Sequence, residues 1–148
     1  MYRHLFGPVP SRRLGLSLGV DLLKDKTCSF DCVFCEVGST TDLTLDRKEY
    51  VAPKEILSEL QSWVKGGGKA DHITLAGKGE PTLNSGFGEV IRGIKSTTET
   101  PVAVLSNGSL FHLDEVRQEA LPADVVKISL SAWDQESLNA LNHPCPDL

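Results

Sequence analysis

The chain of 148 residues has no apolar run near the ~18–20 residues that a membrane-spanning helix requires, so no membrane partner is expected. Its N-terminal stretch, MYRHLFGPVPSRR, has a positive bias but neither the apolar centre nor the small-residue cleavage site of a secretory leader. A cytoplasmic location is the resulting expectation. Basic residues are in short supply too: 15 Lys and Arg against 20 Asp and Glu give a net charge of −5. Nucleic-acid affinity rests mainly on neutralised phosphates, so nucleic acid is not indicated. The one tight basic cluster, Ser11-Arg12-Arg13, reads as a solvated turn in preference to the alternative, a phosphate clamp. Cysteine is scarce, four residues in all, and too crowded for the disulfide framework of a small secreted chain. The remaining composition, 40% hydrophobic and 24% charged, is that of one globular domain with its own core.

Periodicity divides this domain into alternating short apolar runs and helical patterns. Leu16–Leu23 alternates and then turns continuously apolar, as a strand does. Pro53 suits a first helical turn, and Ile56, Leu57, Leu60, Trp63 and Val64 then share one helical face until Gly66–Gly68. His72–Gly77 reads as a second strand, with Phe87, Val90, Ile91 and Ile94 marking the helix after it. Val102–Gly108 and a helix through Leu113, Val116 and Ala120 form a third pair; Asp124–Ala132 and a helix around Leu138 and Leu141 form a fourth. Such alternation predicts right-handed β/α units on a parallel sheet. Val102–Leu105 and Val125–Val126 are expected to be buried on both faces.

Ligands of parallel β/α sheets sit beyond the carboxyl ends of the strands. There the sequence places TCSFDCVFCEVG after the first strand, GKGEPT after the second, SNG at the third and SLSA at the fourth. Cys28, Cys32 and Cys35 have the spacing C-x3-C-x2-C. Thiolates are strong soft ligands, and four would close a zinc site or a 4Fe–4S cluster. Three leave one iron of a cubane without a protein ligand, and an open position is what metal chemistry on a substrate needs. A structural zinc site completed by Cys145 or a histidine, or a redox pair Cys32–Cys35, are the competing readings of the same residues. Cys145 itself, between two prolines, reads as a free surface thiol.

CSFDCVFC resembles the cluster motif of the radical S-adenosylmethionine (radical SAM) superfamily, and GKGEP (Gly77–Pro81) is similar to its Gly-Gly-Glu-Pro segment. LSNG and KISLSA resemble segments of its molybdenum-cofactor-synthesis-like branch, and GPVPSRRLGLSLGVDLL a largely uncharacterised subgroup near that branch. The resemblance implies a partial (β/α) barrel, of which four of an expected six β/α units lie in this chain, so that residues 1–148 form the N-terminal portion of a radical SAM domain. It implies a 4Fe–4S cluster on Cys28, Cys32 and Cys35, and S-adenosylmethionine bound at the open iron. It also implies an external electron donor of the reduced flavodoxin or ferredoxin type, and hydrogen abstraction from an unknown substrate by a 5′-deoxyadenosyl radical. By the same resemblance, Phe34 contacts adenine, Gly79 lets the backbone approach the methionine amino group, and Glu80 orients that region. Ser129 reaches the ribose or carboxylate, and Ser106 and Asn107 face the same rim. Lys78 stands where that family often has glycine; its side chain is expected to meet solvent or an anionic group. The alternative from another class is a non-catalytic zinc or iron–sulfur module. The last strand of so short a chain is expected to present an unpaired edge.

Overall fold

A computed structural model describes all 148 residues. The strands are β1 (Leu5–Ser11), β2 (Gly15–Val20), β3 (Thr27–Cys28), β4 (Asp42–Leu43), β5 (His72–Leu75), β6 (Val102–Ser106) and β7 (Val125–Ile128). The helices are α1 (Pro53–Lys65), α2 (Phe87–Thr97), α3 (Asp114–Ala120) and α4 (Gln135–Asn142). Five strands form one sheet in the order β1-β2-β5-β6-β7. Pairing from β2 to β7 is parallel, whereas β1 pairs antiparallel with β2, from Leu5 opposite Val20 to Ser11 opposite Gly15. The fold is thus mixed α/β. Strand β1 is not among the elements that periodicity marks, since Gly7, Pro8 and Pro10 interrupt its pattern. An edge strand tolerates them, since one row of its N–H groups has no ladder partner to lose.

Register rows carry the core. Leu18, Ile73 and Val102 lie side by side, as do Val20, Leu75 and Val104, all buried on the helix-covered face. Ile56 and Leu60 of α1, Phe87, Val90, Ile91 and Ile94 of α2, and Ala120 of α3 pack against them. Burial of each large side chain contributes roughly 1.5–3 kcal/mol, which explains why short amphipathic helices hold here. Trp63 is half-buried against the same cluster. Pro53 opens α1 and Gly66 closes it, as the sequence predicts.

The row does not stay buried as far as β7. Val126 continues Val104 but is 40% exposed, and Val125 is 36% exposed. The expectation of burial on both faces fails there because β7 is the outer strand, with a neighbour on one side only. The expected open edge is present. Helix α4 is not part of the apolar core; it lies against the cysteine loop instead.

Candidate functional site

Four loops at the carboxyl ends of the parallel strands meet around one cavity of about 250 Å³. The cysteine loop brings Cys28, Cys32, Phe34 and Cys35 to its wall, and the loop after β5 brings Gly79 and Glu80. The end of β6 supplies Ser106 and Asn107, and the segment after β7 supplies Ser129. Every residue singled out at this rim from the sequence therefore lines a single cavity.

The cysteine loop is held from both ends. Cys28 lies in β3, whose pairing with β4 fixes the loop's start, and Thr40 N–H donates to Asp31 Oδ1 at 2.7 Å near its end. The C-terminal segment closes over it. Val33 N–H donates to the Leu141 carbonyl at 3.0 Å, Asp31 N–H to that of Asn142 at 2.9 Å, and Cys145 N–H to that of Ser29 at 2.8 Å. Cys145 is consequently buried rather than a surface thiol: the turn through Pro144 folds it back onto the loop. It does not line the cavity with the other three.

No cysteine is in a disulfide. Burial pushes the thiols of Cys28 and Cys32 up, opposed at Cys28 by the backbone N–H of Phe30 and at Cys32 by Asn142. The Asn142 amide donates to Cys32 Sγ at 3.2 Å and to Ser131 Oγ at 2.8 Å, and the Asn107 amide approaches Cys28 Sγ at 3.7 Å. Hydrogen bonds to ligand sulfurs are a known lever on iron–sulfur potentials. No sequence signal marks Asn142, which reads as one more polar residue at a helix end, or Ser29, whose hydroxyl pairs with Ser109 at 2.6 Å and accepts from Asn107 at 2.9 Å.

Glu80 is 2% exposed, and donors surround its carboxylate. Oε1 accepts from Thr82 Oγ1 at 2.6 Å, Thr82 N–H at 3.2 Å and Ser106 Oγ at 2.8 Å; Oε2 accepts from Asn107 N–H at 2.7 Å. Burial raises its pKa against the pull of these bonds. Glu80 thereby ties the loop after β5 to the end of β6. Gly79 is required by close approach: a Cβ there would run into the Thr27 carbonyl and the Leu23 side chain. Ser129 N–H donates to the Ser106 carbonyl at 2.9 Å, and its hydroxyl accepts from Lys127 Nζ at 2.8 Å. Neither Ser129 nor Ser131 caps α4, a role taken by Asp134. Phe34 is 54% exposed at the cavity mouth.

The charge around the cavity is cationic. Lys26, Lys78 and Lys127 line it, against the single carboxylate of Glu80. Lys78 reaches both an oxygen and an anion: its ammonium donates to the Lys24 carbonyl at 2.8 Å and lies 3.9 Å from Asp21. Such a setting suits an anionic, thiolate-ligated centre.

A single zinc ion fits poorly. It needs about four donors closing on one point, and only three of the four cysteines line the cavity, with no histidine beside them. Three thiols spread around a common cavity, with the fourth cysteine elsewhere, match the donor set of a larger cluster with one corner open.

Fold and site together place three free thiols in one cavity at the carboxyl rim of a β/α sheet. The chain belongs to the radical SAM superfamily, whose profile matches residues 26–146. Members use a 4Fe–4S cluster and S-adenosylmethionine, and these are the cofactors of this chain. A UPF0026 protein of Methanocaldococcus jannaschii is 35% identical over 145 residues, 97% of this chain and 45% of that protein. A protein named GTPase Obg from Brachyspira hyodysenteriae is 39% identical over 142 residues, 96% of this chain and 21% of that protein. A probable GTP 3′,8-cyclase of Thermoplasma volcanium is 28% identical over 126 residues, 85% of this chain and 36% of that protein. These relatives bear out the placement beside the molybdenum-cofactor-synthesis-like branch. The chain spans about half the length of the UPF0026 relatives and less of the other two. No helix is long and apolar enough to cross a membrane.

Proposed function

We propose that this chain is the cofactor-binding part of a radical SAM enzyme, with residues 1–148 forming four β/α units of a partial barrel. Cys28, Cys32 and Cys35 would hold the 4Fe–4S cluster, leaving one iron for the amino and carboxylate groups of S-adenosylmethionine. When bound and reduced by an external flavodoxin- or ferredoxin-type donor, this pair supplies a 5′-deoxyadenosyl radical that takes hydrogen from a substrate.

The protein's own part is to bind, orient and shield. Phe34, exposed at the mouth, offers a ring edge and backbone to adenine. The backbone of Gly79, without a side chain, faces the methionine end. Glu80 acts as a positioning residue, its carboxylate already engaged in holding Ser106 and Asn107. Ser129 presents its hydroxyl to the ribose or carboxylate, oriented by Lys127. Asn142 and Asn107 direct amide N–H groups toward two of the three ligand sulfurs.

The observation that carries this reading is the single cavity shared by three unpaired thiols and by side chains from four separate loops. The test is anaerobic reconstitution with iron and sulfide, followed by S-adenosylmethionine and dithionite. The expected result is broad visible absorption from a cluster and formation of 5′-deoxyadenosine. A colourless protein holding one equivalent of zinc would overturn the proposal, and a coloured cluster indifferent to S-adenosylmethionine would leave only an inert module.

A further inference from the structure

On the face of the sheet away from the helices, a hollow of about 680 Å³ opens beside the β1–β2 turn. That is within the range of small-molecule sites, ~300–1,000 Å³. Its wall carries Arg12 and Arg13 from the turn, His72 from β5, Leu105 from β6, and Val125 and Lys127 from β7. No Asp or Glu lines it, although acids outnumber bases in the chain as a whole.

The cations of this hollow are not spent on ion pairs. Every ion pair in the structure is made elsewhere, and Arg12, Arg13 and Lys127 take part in none. Asp71, next to His72 in the chain, turns its carboxylate to the backbone N–H of Leu16 at 2.7 Å. The His72 Nδ1 faces the Leu14 carbonyl at 2.8 Å, which makes it the protonated nitrogen and leaves Nε2 available. This bond and the one from Leu14 N–H to Ser11 Oγ at 3.3 Å brace the turn that carries the two arginines. Arg12 and Arg13 both line the hollow, and guanidinium groups offer paired donors suited to phosphoryl or carboxylate oxygens.

The hollow also borders the cofactor cavity. Leu105 and Lys127 line both, so an occupant anchored on the arginines lies across the open sheet face toward the rim. We infer that Arg12 and Arg13 form the anchor for a compact, multiply charged anionic group on the substrate, with Lys127 at the join between anchor and cofactor. This inference rests on the functional reading above and adds the substrate's chemical class to it. A cationic substrate is repelled by the charges of such a wall, whereas a phosphorylated or polycarboxylate one is drawn in and oriented.

The test is calorimetric titration of the cluster-reconstituted protein with inorganic pyrophosphate at fixed ionic strength, alongside the double variant Arg12→Gln/Arg13→Gln. The wild type should bind, and the variant should bind at least about tenfold more weakly, the loss expected from a charge-assisted bond. Unaltered cluster absorbance and circular dichroism report that the variant is folded. A second variant, Arg12→Lys/Arg13→Lys, keeps the charge without the fork and should fall between the two. No binding by the wild type, or equal binding by wild type and the Gln variant, overturns the anchor. Failure of the functional reading shows separately, as a missing cluster or missing 5′-deoxyadenosine while arginine-dependent pyrophosphate binding persists.

Discussion

On the helix-covered face of the sheet, Ile73, Leu75, Val102 and Val104 are fully buried among other hydrocarbon side chains. At the rim, Glu80, Ser106 and Ser29 are buried almost as completely, and what they touch is polar. Apolar contacts are individually weak, non-directional and numerous, so the loss of one is shared by many neighbours. The rim depends on single bonds with one geometry each. A missing partner there leaves a buried polar group unsatisfied, and the intact structure has none. The core makes the fold robust; the rim makes one arrangement of loops specific.

The sharpest way to separate the two regions is to cut a ligand. Cys32→Ala removes a thiol and little packing, so iron loading should be abolished while the melting temperature of the metal-free protein stays close to that of wild type. Cys145→Ala should leave iron loading intact, because that thiol lies outside the cavity. Iron content and visible absorption after reconstitution check both.

Cutting the core should reverse the pattern. Ile91→Ala opens a cavity beneath the sheet and should cost about 2–5 kcal/mol in denaturant unfolding. Cluster loading should remain, at temperatures where the variant is folded. A smaller loss, about 1–3 kcal/mol, is expected for Glu80→Gln, which turns an amide toward a donor it cannot satisfy. Here stability and cluster yield should fall together. If Glu80→Gln loses stability but keeps full cluster yield and 5′-deoxyadenosine formation, the rim network is scaffolding and the proposed positioning role of Glu80 is wrong.

The same contrast explains what could be read from the sequence. The core is periodic, so Phe87, Val90, Ile91 and Ile94 announce their helix, and Leu18, Ile73 and Val102 their strands. The cysteine spacing and the order of the rim segments were equally legible, because chemistry restricts which residues serve there. Contacts between distant segments left no such mark. Nothing in HPCPDL shows that Cys145 folds back onto Ser29, and nothing at Asn142 shows that its amide meets Cys32 110 residues away. The exposure of β7 follows from its place at the sheet edge, a property of order and not of composition. Pro8 and Pro10 concealed β1 because an edge strand obeys looser rules than an inner one.

If, as proposed, three thiolates hold the cluster, its remaining iron is free to bind S-adenosylmethionine. Mössbauer spectroscopy of the iron-57-reconstituted protein tests it most directly. One iron site should change its isomer shift and quadrupole splitting when S-adenosylmethionine is added, in wild type and in Cys145→Ala alike. Iron sites that all stay unchanged on that addition, or a cluster that is lost with Cys145, would contradict it.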